Sequence, residues 1–194
     1  MLVELRRYVL KPSRRDELID LFDREFVETQ EDLGMTVLGQ FRDLDRPDMF
    51  VWLRGYPDDM EARRAALAAF YGGPVWKRHG PAANATMIDS DDVLLLRTES
   101  LPVGPRPTTP PPPSDLEIFV FYRDHPWPPT PSIDGALATL STAYEKNTFP
   151  ALPVRENDHA LVVLTRPGLK PQPSEPALKT DHLRLQPTNR STLR

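Results

Sequence analysis

Four consecutive prolines, Pro110 to Pro113, sit within a stretch from Thr98 to Ser114 that no helix or central strand can cross. Each proline fixes its φ angle and lacks the amide hydrogen that both kinds of element need in their interiors. The stretch therefore reads as an extended linker of polyproline character. It divides the 194-residue chain into a first unit over 1–97, a second over 115–187 and a polar, frayed tail over 188–194.

The first unit has clear periodicity. Leu2 to Leu10 alternates as a strand, with Val3, Leu5 and Val9 on one face and Glu4, Arg6 and Tyr8 on the other. Pro12 and Ser13 open a helix, Ser13 as its N-cap and Asp16 at the capping-box position, and Leu18, Ile19, Phe22, Phe26 and Leu33 follow at helical spacing to Gly34. Met35 to Leu44 and Phe50 to Tyr56 form a hairpin around Pro47. On the second of these strands Val51 and Leu53 alternate against Phe50, Trp52, Arg54 and Tyr56. A helix over Met60 to Tyr71 ends at a Gly-Gly pair, Pro74 opens another, and Met87 to Arg97 is a strand.

Strand, helix, strand, strand, helix, strand is the ferredoxin-like (βαββαβ) order, an α+β arrangement with helices on one face of an antiparallel sheet. The face carrying Glu4, Arg6, Tyr8, Trp52, Arg54 and Tyr56 is left open on this reading. So large an aromatic patch should be covered by a second sheet or a second chain. Beyond the linker, Leu116 to Arg123 reads as a strand, Ile133 to Tyr144 as a weak helix, Leu152 to Glu156 and His159 to Arg166 as a hairpin, and Leu183 to Gln186 as a last strand. Pro167, Pro171, Pro173 and Pro176 occupy the place of a second helix, so the second unit is a degenerate ferredoxin-like repeat.

Composition excludes several function classes. With no cysteine there is no disulfide, thiolate metal site or iron–sulfur cluster. A net charge of −4 without a basic stripe argues against nucleic acid as a partner. No apolar run approaches the roughly 18 residues of a membrane span, and MLVELRRYVL has a strand's alternation rather than a signal layout, so a cytoplasmic location without membrane association is expected. His79, His125, His159 and His182 lack chelating spacing, and Asp89, Asp91 and Asp92 lack the calcium-loop pattern, so no metal site is expected. Neither a phosphate-binding glycine loop nor a serine-nucleophile motif occurs.

Five segments carry a resemblance. ELRRY at Glu4 to Tyr8, LGQFRDLD at Leu38 to Asp45, FVWLRGY at Phe50 to Tyr56, FYGGPVWK at Phe70 to Lys77 and AANATMIDSDDVLLLR at Ala82 to Arg97 together resemble the NIPSNAP family. The resemblance covers about residues 1–97 and implies the dimeric α+β barrel superfamily, in which two ferredoxin-like sheets pack face to face around a pocket. That superfamily includes cofactor-independent monooxygenases, haem-dependent enzymes and small stress-induced dimers, so fold alone leaves the function open. Gly80-Pro81 departs from the family's more continuous helix and leaves the direction of His79 open.

The candidate site follows from these readings. Arg6 and Arg54 are candidates to hold an anionic or quinone-like oxygen and to stabilise oxyanion charge, and Tyr8 or His79 to move a proton. Glu4, Trp52, Tyr56, Tyr71, Trp76, Asn84 and Thr86 are candidates to line or orient the ligand. The expected function is a small-molecule pocket for an aromatic or carbonyl compound in a homodimer, with cofactor-independent oxygenase or lyase chemistry. Two alternatives stand beside it: a non-catalytic dimeric module, binding or stress-related, in which the same aromatics form only an interface, and a haem protein with His79 or another histidine directed at an open cavity. On the bland side, His79 caps a helix end, Asn84 and Thr86 mark a helix boundary, and the buried charges are simply paired.

Overall fold

The computed structural model describes residues 1–112, 114–128 and 133–194. Eight strands follow in chain order: β1 (Leu2–Leu10), β2 (Thr36–Asp43), β3 (Met49–Tyr56), β4 (Met87–Arg97), β5 (Leu116–Arg123), β6 (Ala138–Thr142), β7 (His159–Thr165) and β8 (Lys179–Pro187). They close one antiparallel barrel in the order β1-β3-β2-β8-β5-β7-β6-β4. Within each half the spatial order is fourth, first, third, second strand. The halves meet where β2 pairs with β8 and β4 with β6.

The alternation of β1 and β3 decides which side chains enter the barrel. Val3, Leu5, Val51 and Leu53 point inward and meet Ile118, Val120, Leu140, Val162 and Leu183 from the second half. A closed eight-stranded barrel has room inside only for side chains of this size. The bulkier set, Tyr8, Phe50, Trp52 and Tyr56, faces out and packs against helices. This corrects the expectation of an open aromatic face: the helices cover that face, and the aliphatic face is the one the second half completes. The aromatic face, for which a second sheet or a second chain is the expected cover, is thus covered by helices of the same chain.

Three helical stretches form the cover. α1 (Arg15–Leu21) runs through a π-helical turn (Phe22–Phe26) into α2 (Val27–Glu31), and α3 (Met60–Gly72) is followed by α4 (Pro74–Thr86). Asp59 caps α3, its Oδ1 accepting from the amides of Glu61 at 2.7 Å and Ala62 at 3.2 Å. Gly73 makes the elbow to α4, because a Cβ there would lie 2.8 Å from the Ala69 carbonyl oxygen. Pro81 does not interrupt α4, which runs to Thr86. Gly80 allows the Trp76 ring to lie against the helix, where a Cβ would come within 2.7 Å of it. The Ser13 N-cap is not formed. Ser13 takes φ 64° and donates its amide to Asp48 Oδ1 at 3.0 Å, and α1 starts two residues later.

The second half differs more from the sequence reading. The helix expected over Ile133 to Tyr144 is replaced by a turn and β6, since Ala138, Leu140 and Thr142 alternate inward against Thr139 and Ser141, a strand period with strand-favouring residues. Leu152 to Glu156 is no strand, because Pro150 and Pro153 punctuate it; Phe149, Leu152 and Val154 pack instead beside the helix-covered core of the first half. The outer face of this half is covered by Trp127, Ile133 and Ala177 from irregular segments.

The tail is ordered rather than frayed. Leu193 is buried in the barrel core, and its amide donates to the Leu38 carbonyl at 2.9 Å. Across the lumen, Arg7 on β1 donates to Asp181 at 2.8 Å, Asp92 at 2.9 Å and the Tyr122 hydroxyl at 3.0 Å, a charge-paired bolt that fills this space. Among the described residues no helix is long and apolar enough to cross a membrane.

Candidate functional site

The barrel register places the candidate side chains side by side. Glu4 lies opposite Arg54, Arg6 opposite Trp52 and Tyr8 opposite Phe50 across the β1–β3 ladder. Glu4 is fully buried and gathers three arginines. Its Oε2 accepts from Arg6 at 2.8 Å and from Arg54 at 2.7 and 3.1 Å, and its Oε1 from Arg63 at 2.6 and 3.0 Å. Arg54 completes its bonding at Gln30 Oε1, 2.9 Å away, and Arg63 at Asn147 Oδ1, 3.1 Å away. Arg6 Nε donates to the Tyr8 hydroxyl at 2.8 Å.

The electrostatics follow from this geometry. Burial alone would push the Glu4 carboxyl up, but Arg54, Arg6 and Arg63 together outweigh it and hold the group well below the usual carboxylate range. Burial pushes the Tyr8 hydroxyl up despite Arg6 beside it, so it stays protonated at neutral pH. Tyr56 is displaced upward for the same reason. The guanidinium of Arg54 lies 5.0 Å from the Trp52 ring centroid and that of Arg6 5.7 Å, contacts that suit a cation over an aromatic face.

Above this polar floor is an aromatic chamber. Tyr8 and Trp52 form the sheet wall; Phe22 and Phe26 from the π-helical turn, and Phe70, Tyr71 and Trp76 from α3 and α4, form the helix wall. Phe22 sits edge-on to Trp52 with centroids 4.8 Å apart, and Tyr71 edge-on to Trp76 at 4.7 Å. The cavity between them measures about 20 Å³, room for about one water. Trp52 Nε1 and the Tyr56 hydroxyl are buried without a hydrogen-bond partner.

The structure therefore brings together Glu4, Arg6, Tyr8, Trp52, Arg54, Tyr56, Tyr71 and Trp76. It sets three candidates apart. His79 Nε2 faces Glu25 Oε2 at 3.5 Å and does not line the chamber. Asn84 is exposed near the end of α4. Thr86 donates its hydroxyl to the Ala83 carbonyl at 2.7 Å, the helix-boundary role. A haem does not fit this site, because no histidine lines the chamber and its rings leave no slot for a macrocycle. No group of three or more potential metal ligands occurs among the described residues.

Arg63, Gln30 and Asn147 escape sequence reasoning. Arg63 sits on α3 directly before the exposed Arg64 and Ala65, and Asn147 lies in the second half, 84 residues away along the chain. The signal for Arg63 is its place one turn below Leu67 on the stripe that faces the sheet.

The NIPSNAP family model matches residues 3–101, half of the chain. The chain belongs to the NIPSNAP family. No curated protein matches this NIPSNAP chain. Among solved structures it is similar to a NIPSNAP-like domain protein from Burkholderia xenovorans, at 27% identity over 54% of this chain and 91% of that one, with a TM-score of 0.46. Two longer likenesses carry the fold. A proposed monooxygenase from Fusobacterium nucleatum aligns at TM-score 0.56 and 8% identity, covering 96% of this chain and 91% of that one. Another from Lactobacillus acidophilus aligns at TM-score 0.51 and 11% identity, covering 95% and 92%. The NIPSNAP chain thus shares its whole mixed α/β barrel with both.

Proposed function

We propose that this NIPSNAP chain binds a planar aromatic or carbonyl compound between the β1–β3 face and the helices, the helix-borne rings parting from the sheet to widen a chamber of about 20 Å³. The observation that carries the reading is an aromatic cavity set on a buried, hydrogen-bonded arginine cluster beside the unpartnered indole N–H of Trp52. Buried donors without partners call for an explanation, and ligand sites combine apolar walls with a few fixed polar groups. In this reading Arg6 stabilises oxyanion charge, Tyr8 supplies a proton, and Arg54 and Glu4 hold Arg6 in place. Cofactor-independent oxygenation is the reaction class proposed; the two proteins that share the fold are described as proposed monooxygenases, with no cofactor stated. The strand order supports reading 1–97 and 115–187 as tandem ferredoxin-like units joined by 98–114, the second acting as the built-in partner sheet.

The small size of the cavity favours a second reading, in which the rings and the cluster only fasten helices to the sheet. Tryptophan indole N–H resonances separate the two, since Trp52 and Trp76 line the chamber while Trp127 donates to the His159 carbonyl in the other half. Planar aromatic carbonyl compounds are expected to shift the Trp52 and Trp76 signals and leave Trp127 in place. If none of a panel shifts Trp52 or Trp76 up to millimolar concentration, the fastening role stands alone.

A further inference from the structure

Resting on that reading of the chamber, we infer that its ligand is a planar aromatic anion, a carboxylate or phenolate whose oxygen is received by Arg6 and Tyr8. The inference comes from the balance of charges and of hydrogen-bond donors. Arg6, Arg54 and Arg63 are each at most 1% exposed, and the one carboxylate bonded to them is Glu4. Three cations against one anion leave the buried cluster two charges positive, with no second carboxylate bonded to it among the described residues. Buried charge left uncompensated is costly, so a site of this kind favours an anion that neutralises part of it.

The donors tell the same story. Arg54 and Arg63 use every nitrogen on Glu4, Gln30 and Asn147. Arg6 uses Nε on Tyr8 and one terminal nitrogen on Glu4, and among the described residues nothing accepts from the other terminal nitrogen. The Tyr8 oxygen accepts from Arg6, which leaves its own hydroxyl hydrogen to donate. Trp52 Nε1, a donor with no acceptor, lies on the same wall. The acceptors close by are already engaged: Gln30 Oε1 by Arg54 and Glu4 by all three arginines. A ligand at this wall therefore meets donors and positive charge, which suits an oxygen that only accepts and carries negative charge.

The test compares 1-naphthoate with its neutral near-isostere 1-naphthamide, titrated against the full chain with the Trp52 and Trp76 indole signals as readout. Naphthoate is expected to bind at least tenfold tighter than naphthamide. In Arg6→Gln, verified as folded by circular dichroism, that preference is expected to fall to about twofold or less. Tyr8→Phe, which removes a hydroxyl and no charge, is expected to weaken naphthoate several-fold and serves if Arg6→Gln does not fold. Equal binding of the two compounds to the wild-type chain overturns the inference while leaving the chamber as a ligand site. Binding of neither overturns both.

Discussion

Replacing Glu4 by Gln probes the account at its most exposed point. The substitution keeps the side-chain shape and one acceptor oxygen but removes the charge that holds Arg6, Arg54 and Arg63 together. With its carbonyl on the Oε2 side, Gln retains the contacts to Arg6 and Arg54 and turns an NH2 group toward the two Arg63 donors at 2.6 and 3.0 Å. Hydrogen bonds to charged groups contribute about 1.5–3 kcal/mol each. Breaking a buried ion pair by removing one partner costs about 3–5 kcal/mol. The expected loss at pH 7 is about 3–5 kcal/mol, a large share of the roughly 5–15 kcal/mol that a domain possesses. Urea unfolding followed by tryptophan fluorescence measures it, with an unchanged m-value marking a change in stability rather than in compactness. The folded Glu4 carboxyl is held below its unfolded value, so its contribution is complete above the ordinary carboxylate pKa of about 4.3 and is lost only as pH falls below that. The gap between wild type and variant should accordingly be flat from pH 8 to about pH 5 and narrow in stronger acid. A loss under about 1 kcal/mol at pH 7 would refute the reasoning, because a cluster that tolerates losing its one anion is not charge-compensated by Glu4.

Other substitutions have equally definite outcomes. Burial pushes the Asp23 carboxyl up to about 6 although Gln40 donates to it, so the folded chain holds this proton more tightly than the unfolded one and loses stability as pH rises from about 4 to 6. Asp23→Asn should flatten that slope and stabilise the chain at pH 7 by up to about 3 kcal/mol, read from urea midpoints across pH. Leu193→Ala, at a fully seated tail residue, should cost about 2–3 kcal/mol in the same assay, toward the low end for buried leucine because a terminus can settle into the gap; a neutral result would mean that the tail does not close the barrel. His79→Ala should leave naphthoate affinity within twofold of wild type, since His79 faces Glu25 outside the chamber, and a tenfold loss would return it to the site.

The strands and helices of the first half were legible in the sequence because their periodicities are long and clean; β4 begins and ends at Met87 and Arg97 as read. The cross-strand meeting of Glu4 with Arg54 and of Arg6 with Trp52 was legible too, since alternation and strand order suffice to fix it. Which face the helices would cover was not. Alternation separates an aliphatic face from an aromatic and cationic one, but the choice between them depends on the width of a barrel that exists only when β2 meets β8 and β4 meets β6. Arg63 and Asn147 were hidden for a related reason: their roles come from contacts with Glu4 across 59 residues and with each other across 84. In the second half short proline-punctuated segments carry too few residues per element for a period to show, and β6, five residues long, lies in a stretch whose sequence reads as a weak helix. The tail looked polar because Leu193 is its one apolar anchor.

The most direct test of the central claim is a crystal structure of the chain grown with 1-naphthoate. Phe22, Phe26 and Trp76 are expected to have moved away from Trp52, with which Phe22 is in edge contact at 4.8 Å in the free chain, and the naphthalene ring to lie between them with its carboxylate within hydrogen-bonding distance of Arg6 and the Tyr8 hydroxyl. A naphthoate-free chamber still closed by its own rings, at a ligand concentration that saturates the protein in solution, would contradict it.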